Sequence, residues 1–496
     1  MPWIQRAAAD ADPLTCVGAV PGKLRSVPLT RTLTFGIPGI DCTPMLFVRI
    51  ACFTLTLSWG YAWANGTNGP AWPDHPLSLP ECLEVALRQN PAILASKQDV
   101  EESQAIALQT QSIYRPRVNT AGRYTINDQG TLETVPIGPE GFRFQRDQNW
   151  LANLQITQPV FGGGRLKSAA RSARLTREAA VAQHAVVVND TLLQVRTAYS
   201  DILMTAEQIT VRESAIRLSE QELADTRRRY NAGVAPRFNV LRAEVELGNA
   251  RPPLIRARNA FHIAKISLAN LLGWNLPSGL GEGVPLTLSG KLEFDPYLID
   301  LSNALAKGLG QRPELAALRT SNRLRNEEII QARSAYYPQL EGIAGYGIQN
   351  RIFAPGLSDE IHGWTAGAQL NWDLWDFGLT RGKVRAAMAR KEKVRLEIDD
   401  AGRRVELEIR TAHSTFIAAK EVLESQARVI EQAEEALRLA TVRTDAGSGT
   451  QLEVLSAQTA LTQARTTYTV SLREYAVAKA RLDHDMGDGV RIEDIR

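Results

Sequence analysis

Two halves of the chain match each other in register, and no other feature limits the fold so strongly. Pro91, Pro116, Tyr124 and Ile126 recur as Pro313, Pro338, Tyr346 and Ile348, 222 residues further on. Past a loop the spacing shortens to 214. Trp150, Gly164, Arg229, Gly233, Leu241 and Gly273 recur as Trp364, Gly378, Arg443, Gly447, Leu455 and Gly487. The change of 8 residues falls between 126 and 150, so the longer loop is expected in the first copy. A period of roughly 200 residues is too long for a solenoid unit. The chain therefore reads as two copies of one large supersecondary unit, over 65–275 and 298–487. A Gly- and Pro-rich linker at 276–297 joins them, and 488–496 is a tail.

Each copy spells the same elements. A helix is expected after Asn90-Pro91 and Arg312-Pro313, ending near Pro116 and Pro338; two strands, a very long helix, a tight turn and a returning helix follow. The stretch from about 163 to 230 holds no proline. As a helix it would extend on the order of 100 Å. Leu192, Val195, Tyr199, Ile202, Ala206 and Ile209 are spaced three and four apart, as are Val405, Ile409, Ala412, Phe416, Ala419 and Leu423. Such a narrow stripe is a coiled-coil seam. Asn231-Ala232-Gly233 and Asp445-Ala446-Gly447 each place a glycine where a helix can stop, so the helices double back as hairpins.

The strands alternate with period two. In 364–375, Trp364, Ala366, Ala368, Leu370, Trp372 and Leu374 share one face, and Thr365, Gly367, Gln369, Asn371 and Asp373 the other. Trp150, Ala152, Leu154 and Ile156 oppose Leu151, Asn153, Gln155 and Thr157 in the same way. Val118, Tyr124 and Ile126, and Leu340, Tyr346 and Ile348, line one face of the partner strands. This pattern suits half of a soluble sheet, or a membrane barrel stave with apolar residues toward lipid. Four strands cannot close a membrane barrel, and open edges do not occur in lipid. In a membrane, chains would have to pool strands, eight from two or twelve from three. Trp150, Trp364 and Trp375 suit either an interfacial belt or ordinary packing.

Composition narrows the classes. Apolar residues make up 44% and charged residues 22%, so the chain is not disordered. The formal charge of +3 comes from both signs mixed along the chain, which argues against a nucleic-acid partner. The four cysteines, at 16, 42, 52 and 82, have no metal-ligand spacing, and Cys82 reads as a small buried hydrophobe. The six histidines are scattered. Gly162-Gly163-Gly164 lacks the Lys-Ser/Thr of a phosphate loop and reads as a turn, and no Gly-x-Ser-x-Gly elbow occurs. The charge run around Lys393 reads as a solvated helix face. No catalytic, cofactor or metal constellation is expected, and with no ATP site the energy must come from a partner.

Residues 45–64 read as an export signal within an N-terminal extension, 1–64. Arg49 supplies the positive region, 50–59 the apolar region, and Ala62-Trp63-Ala64 the cleavage site, which would make Asn65 the mature N-terminus. A buried N-terminal helix is the alternative. Asn65 offers no acceptor for a lipid anchor.

The chain resembles the TolC-like outer-membrane efflux proteins, from about Leu77 to Gly487. The resemblance rests on the doubled strand–strand–long helix–return helix order. It rests too on the strand exits QPVFGGGR (158–165) and WDLWDFG (372–378), and on the tips RRYNAGVAPRFNVLRAEVEL (228–247) and VRTDAGSGTQLEVLSAQTAL (442–461). It implies an α+β, mostly α fold. The expected assembly is a homotrimer with a twelve-stranded outer-membrane β-barrel, continued by a periplasmic α-helical coiled-coil barrel. Such a protein is a passive exit duct of a tripartite efflux pump or type I secretion system. It lies among outer-membrane lipids and works with a periplasmic adaptor (membrane fusion) protein and an inner-membrane transporter. Thr444 and Gly449 depart from the aromatic and Arg that secretion-type members carry at the tip. A periplasmic coiled-coil adaptor or a structural rod are the alternatives. An adaptor has one hairpin rather than two, and a rod needs neither export nor alternating strands.

Two sets of site residues follow. Gly233, Val234, Ala235, Gly447, Ser448 and Gly449 lie farthest from the strands and are expected to dock the adaptor. By resemblance, acidic residues at 453 and 456 narrow the tunnel entrance. Glu453 would form a ring of three carboxylates, and Arg242, one turn from Asn239, could bond a carboxylate across the neck; at 456 this chain has Ser456.

Overall fold

The computed structural model describes residue 72 and residues 75–128, 134–135, 142–143, 148–275, 283–351 and 358–490. The extension and export signal, residues 276–282 of the linker and residues 491–496 of the tail lie outside the described residues.

The chain runs α1 (Leu79–Gln89), α2 (Pro91–Ser112), β1 (Arg117–Ile126), β2 (Thr134–Val135), β3 (Phe142–Arg143), β4 (Gln148–Phe161), α3 (Arg165–Asn231) and α4 (Arg237–Leu271). It then runs α5 (Leu301–Gln311), α6 (Pro313–Arg333), a 3-10 turn (Ser334–Tyr336), β5 (Gln339–Asn350), β6 (Glu360–Asn371), α7 (Leu379–Asp445) and α8 (Gln451–Asp485). Both long helices have 67 residues and both returning helices 35. The paired β2 and β3 occupy the longer loop of the first half.

Local chemistry sets these boundaries. Asn90 caps α2, its Oδ1 accepting from the amides of Ala92 (2.8 Å) and Ile93 (3.2 Å), with Pro91 in the first turn. Gly233 (φ 78°) and Gly447 (φ 75°) end the long helices in the left-handed region. α1 and α5 are short helices that periodicity alone does not reveal. A capping box announces α1, with Ser78 and Glu81 bonded reciprocally.

The strands form one antiparallel sheet in the order β1-β4-β5-β6, with β1 and β6 at open edges. Its register carries the alternation across all four strands. Val118 faces Ile156, Tyr124 faces Trp150, Leu154 faces Tyr346, and Tyr346 faces Trp364. Asn119, Gln155, Gly345 and Thr365 fall on the other face. Pro159 sits at the register shift between Pro159 and Phe161, where a residue without an N–H does least harm in a central strand. β6 ends at Asn371, so Trp372–Trp375 lies outside the strand, and Trp364 is mid-strand rather than terminal. Among the described residues no helix is long and apolar enough to cross a membrane.

The helices pack side by side. Toward the sheet the order is α2-α3-α6-α7; toward the tips it is α4-α3-α8-α7. Two apolar clusters thicken the middle. One gathers Cys82, Val195, Tyr199, Ile202, Leu268 and Leu272; the other gathers Val405, Ile409, Phe416, Tyr475 and Leu482. The seams seen in the sequence supply much of both. The segment after residue 283 is more than a linker. Leu286 is fully buried in the first cluster, and Leu292 and Tyr297 pack on the second. Tyr475 donates to the carbonyl of Asp295 at 2.6 Å, while Leu77 N–H donates to Thr287 O at 2.9 Å and Leu77 O accepts from Ser289 N–H at 2.8 Å. Cys82 lies in this core, where burial pushes its thiol up to about 12 and keeps it protonated.

An ionic knot lies beside the clusters. His484 is bonded to Asp190 through Nε2 and to Asp485 through Nδ1, each at 2.9 Å, and Arg481 approaches Asp485 at 3.9 Å. Burial opposes a charge on the imidazole, but the two carboxylates outweigh it and raise its pKa to about 9. A raised pKa stabilises the fold fully below about 6.5, and the stabilisation fades as pH rises through about 9. The parent is therefore expected to exceed His484→Gln by on the order of 2–3 kcal/mol at pH 6. The gap should close by pH 10, as measured by thermal unfolding in detergent across that range. A gap independent of pH would contradict the charge assignment.

Candidate functional site

The sheet offers two chemically different surfaces. One carries Val118, Tyr124, Trp150, Leu154, Ile156, Tyr346, Trp364 and Leu370, many of them exposed in the single chain. The other is more polar, with Asn119, Asn153, Gln155, Thr157, Gln339, Gln349 and Gln369 beside Leu151, Ile343 and Ile361. Strands of 10 to 14 residues match the roughly 9–11 that a tilted strand needs to cross a bilayer. The pattern suits lipid on one side and water on the other, and unpaired strand edges do not occur in lipid.

At the far end the two hairpins stand together. Val234 N–H donates to Arg229 O at 3.0 Å, and Ser448 N–H to Arg443 O at 2.9 Å, the six-residue closure that seals a helix at a left-handed glycine. Nothing lies within 4 Å of a Cβ placed on Gly233 or Gly447. Gly449 differs, because a Cβ there would meet Thr444 N and Oγ1 at 2.9 Å. Val234 (76% exposed) is bare, as are Ser448 and, further along α4, Phe238, while Ala235 and Gly449 are half-buried. Phe238 is exposed in the first turn of α4 beside the tip, and its signal in the sequence is an apolar residue four positions after Val234. Arg229 bonds Asp445 at 2.6 Å, and Gln451 bonds Thr226 Oγ1 at 2.5 Å, holding one hairpin against the other.

The expected constriction residues do not all meet within one chain. Thr450 caps α8 by accepting from Glu453 N–H at 3.3 Å, and the Glu453 carboxylate lies 4.0 Å from Arg443 of its own hairpin. Glu453 and Ser456 are exposed three residues apart, so they share a face of α8. Arg242 and Asn239 share a face of α4 in the same way, and Arg242 has no ion pair among the described residues. The order α4-α3-α8 puts a helix between Arg242 and Glu453.

The outer membrane efflux protein family model matches residues 82–274 and 304–488. The chain is 23% identical over 411 residues to the alkaline protease secretion protein AprF of Pseudomonas aeruginosa, covering 82% of this chain and 83% of AprF. It is 24% identical over 459 residues to the cobalt-zinc-cadmium resistance protein CzcC of Cupriavidus metallidurans, covering 89% and 99%. Its fold is similar to that of the Campylobacter jejuni CmeC outer membrane channel, with a TM-score of 0.71, 15% identity, and 83% and 86% of the two chains covered.

Proposed function

Because the chain belongs to the outer membrane efflux protein family and is an outer-membrane channel for efflux or secretion, we propose that three copies close one duct. The observation that carries this reading is that every sheet and helix layer ends in an edge fit for a second copy. β1 and β6 run antiparallel, so β6 of one chain pairs with β1 of the next, and three chains give twelve strands. α4 and α7 are the outer helices of the lower layer. Phe238, Leu241, Val245 and Ile255 form an exposed seam on α4, and Val422, Val429 and Leu439 form one on α7. Arg251 and Arg256 on α4, and Glu421 and Glu431 on α7, lack ion pairs among the described residues; counted from the tip glycines they lie at similar heights. The recurrence of element boundaries at 222 and 214 residues supports reading the protomer as two structural repeats. Native mass measurement in detergent is expected to give three chains, and a stable monomer would overturn the reading.

The duct is passive. The tips, with Gly233, Val234, Ala235, Gly447, Ser448 and Gly449, dock a periplasmic adaptor that couples the duct to an inner-membrane transporter. Residues 45–64 act as the export signal. The relatives' names, metal resistance in one and protease secretion in another, leave both efflux and secretion as cargo classes. The adaptor and rod alternatives give way to the family match.

Glu453 and Ser456, with Asn239 and Arg242, form the periplasmic neck. Three Glu453 carboxylates in a narrow aqueous ring favour cations. Arg242 reaches a carboxylate across the neck, a pair worth about 1 kcal/mol or less when exposed. In planar bilayers, Glu453→Ala is expected to lower cation preference about twofold, and Arg242→Ala to raise the open fraction. Parent-like conductance and selectivity in both variants would remove these residues from the neck.

A further inference from the structure

Both long helices leave the sheet through strongly basic stretches. From Arg165 to Arg177, α3 carries five cations and no carboxylate; from Arg381 to Lys391, α7 carries five and none. Of these ten cations only Arg171 and Arg174 have a carboxylate partner among the described residues.

Their level is marked by the junctions. Three residues separate β4 from α3, and the segment joining β6 to α7 exposes Trp372, Leu374, Trp375 and Phe377, the last at 94%. Exposed aromatics at the foot of a membrane sheet mark the interface. At about 1.5 Å per residue, Lys167 and Arg381 lie about 3 Å below the helix starts, and Arg171 and Arg385 about 9 Å. A headgroup layer is about 5–8 Å deep, so long basic side chains at these positions reach it.

Their direction follows from burial. Ser168, whose Oγ donates to Glu327 O at 2.7 Å, and Leu175 lie on the flank of α3 that meets α6; Ala173 is buried on the other flank. With about 100° per residue, the flanks converge on the side of Ser172 and Thr176. In a closed ring, flanking helices converge on the lumen side. The remaining arc, with Lys167, Arg171, Arg174 and Arg177, faces outward and is exposed. On α7, Thr380, Val384 and Ala387 are buried toward α6, and Gly382, Ala386 and Ala389 form the opposite flank. The same handedness puts Arg381 and Arg385 outside, and Lys383 and Arg390 inside. Glu327 holds Arg171 at 3.0 Å and Glu178 approaches Arg174 at 3.7 Å. Lys167, Arg177, Arg381 and Arg385 have no ion pair among the described residues.

We propose that this outward collar binds the phosphates of anionic phospholipids in the periplasmic leaflet of the outer membrane, directly below the aromatic belt. The collar continues the lipid-facing side of the sheet, its charge complements the headgroups, and such attraction is strongest within a Debye length of the surface. It rests on the closed-ring reading, which native mass tests separately.

The test is the amount of phosphatidylglycerol and cardiolipin that copurifies with each trimer. Lys167→Gln/Arg177→Gln/Arg381→Gln/Arg385→Gln should retain less than a third of the parent amount, with trimer mass and conductance unchanged. The milder pair Lys167→Gln/Arg381→Gln should lose about half, which keeps the test valid if the fourfold variant fails to assemble. Lys383→Gln/Arg390→Gln should keep its lipid and shift selectivity toward cations. Parent-like lipid in the outward variants overturns the proposal. So does a selectivity shift in them with lipid unchanged, because that result puts these cations in the lumen.

Discussion

A protomer carrying Leu241→Asp and Ile255→Asp is expected to fold yet fail to assemble. Both side chains lie on α4, 48% and 66% exposed, and neither belongs to the apolar clusters. Inside one chain the substitutions therefore remove little. Against α7 of a second chain they replace two seam residues, each worth about 1.5–3 kcal/mol when buried, with carboxylates that lose their water. The loss recurs at three interfaces. Native mass and gel mobility without heating should show monomer in place of trimer, and export should fall at least 100-fold. The conservative Leu241→Ile/Ile255→Leu should stay trimeric. A trimer that survives both Asp substitutions would place the seam outside the interface.

Replacing Gly233 and Gly447 with Trp is expected to stop export while leaving the trimer in the membrane. Neither glycine has an atom within 4 Å of a Cβ position, so a large side chain meets nothing in its own chain. What it meets is whatever docks on the tip. The left-handed backbone adds a separate cost of about 1–2 kcal/mol for a residue with a Cβ. Asn tolerates that conformation better, so Gly233→Asn/Gly447→Asn measures the turn without the bulk. Export should drop more than tenfold in the Trp variant and stay within about twofold of the parent in the Asn variant. Equal losses would make these glycines turn residues alone. Parent-like export in the Trp variant would move the docking site elsewhere.

Much of the architecture was legible because its signals are local. A seam such as Val405, Ile409, Ala412 and Phe416 declares a helix by spacing, and the structure buries all four. The alternation in Trp364–Leu370 declares a strand, although β6 stops at Asn371 and leaves Trp375 in the junction. Other features were hidden. The stretch 276–297 has no periodicity, so it reads as a linker; the burial of its part from 283 onward depends on helices far away in sequence, as at Leu286 and Tyr297. The residues proposed for the constriction are named through the resemblance of the tip motifs, which says nothing of their neighbours. Only the order α4-α3-α8-α7 shows that α3 stands between the helices that carry Arg242 and Glu453.

By itself the sequence determined the recurring order of elements, the length of the long helices, the two glycine tips and the two-faced strands. Each is set by periodicity or by a backbone demand within a few residues. Only the tertiary structure decided which helices stand side by side, which faces remain uncovered, and that His484 lies between Asp190 and Asp485. Those outcomes come from packing between elements hundreds of residues apart. Many pairings there satisfy the same local pattern, and burial of one common core selects among them.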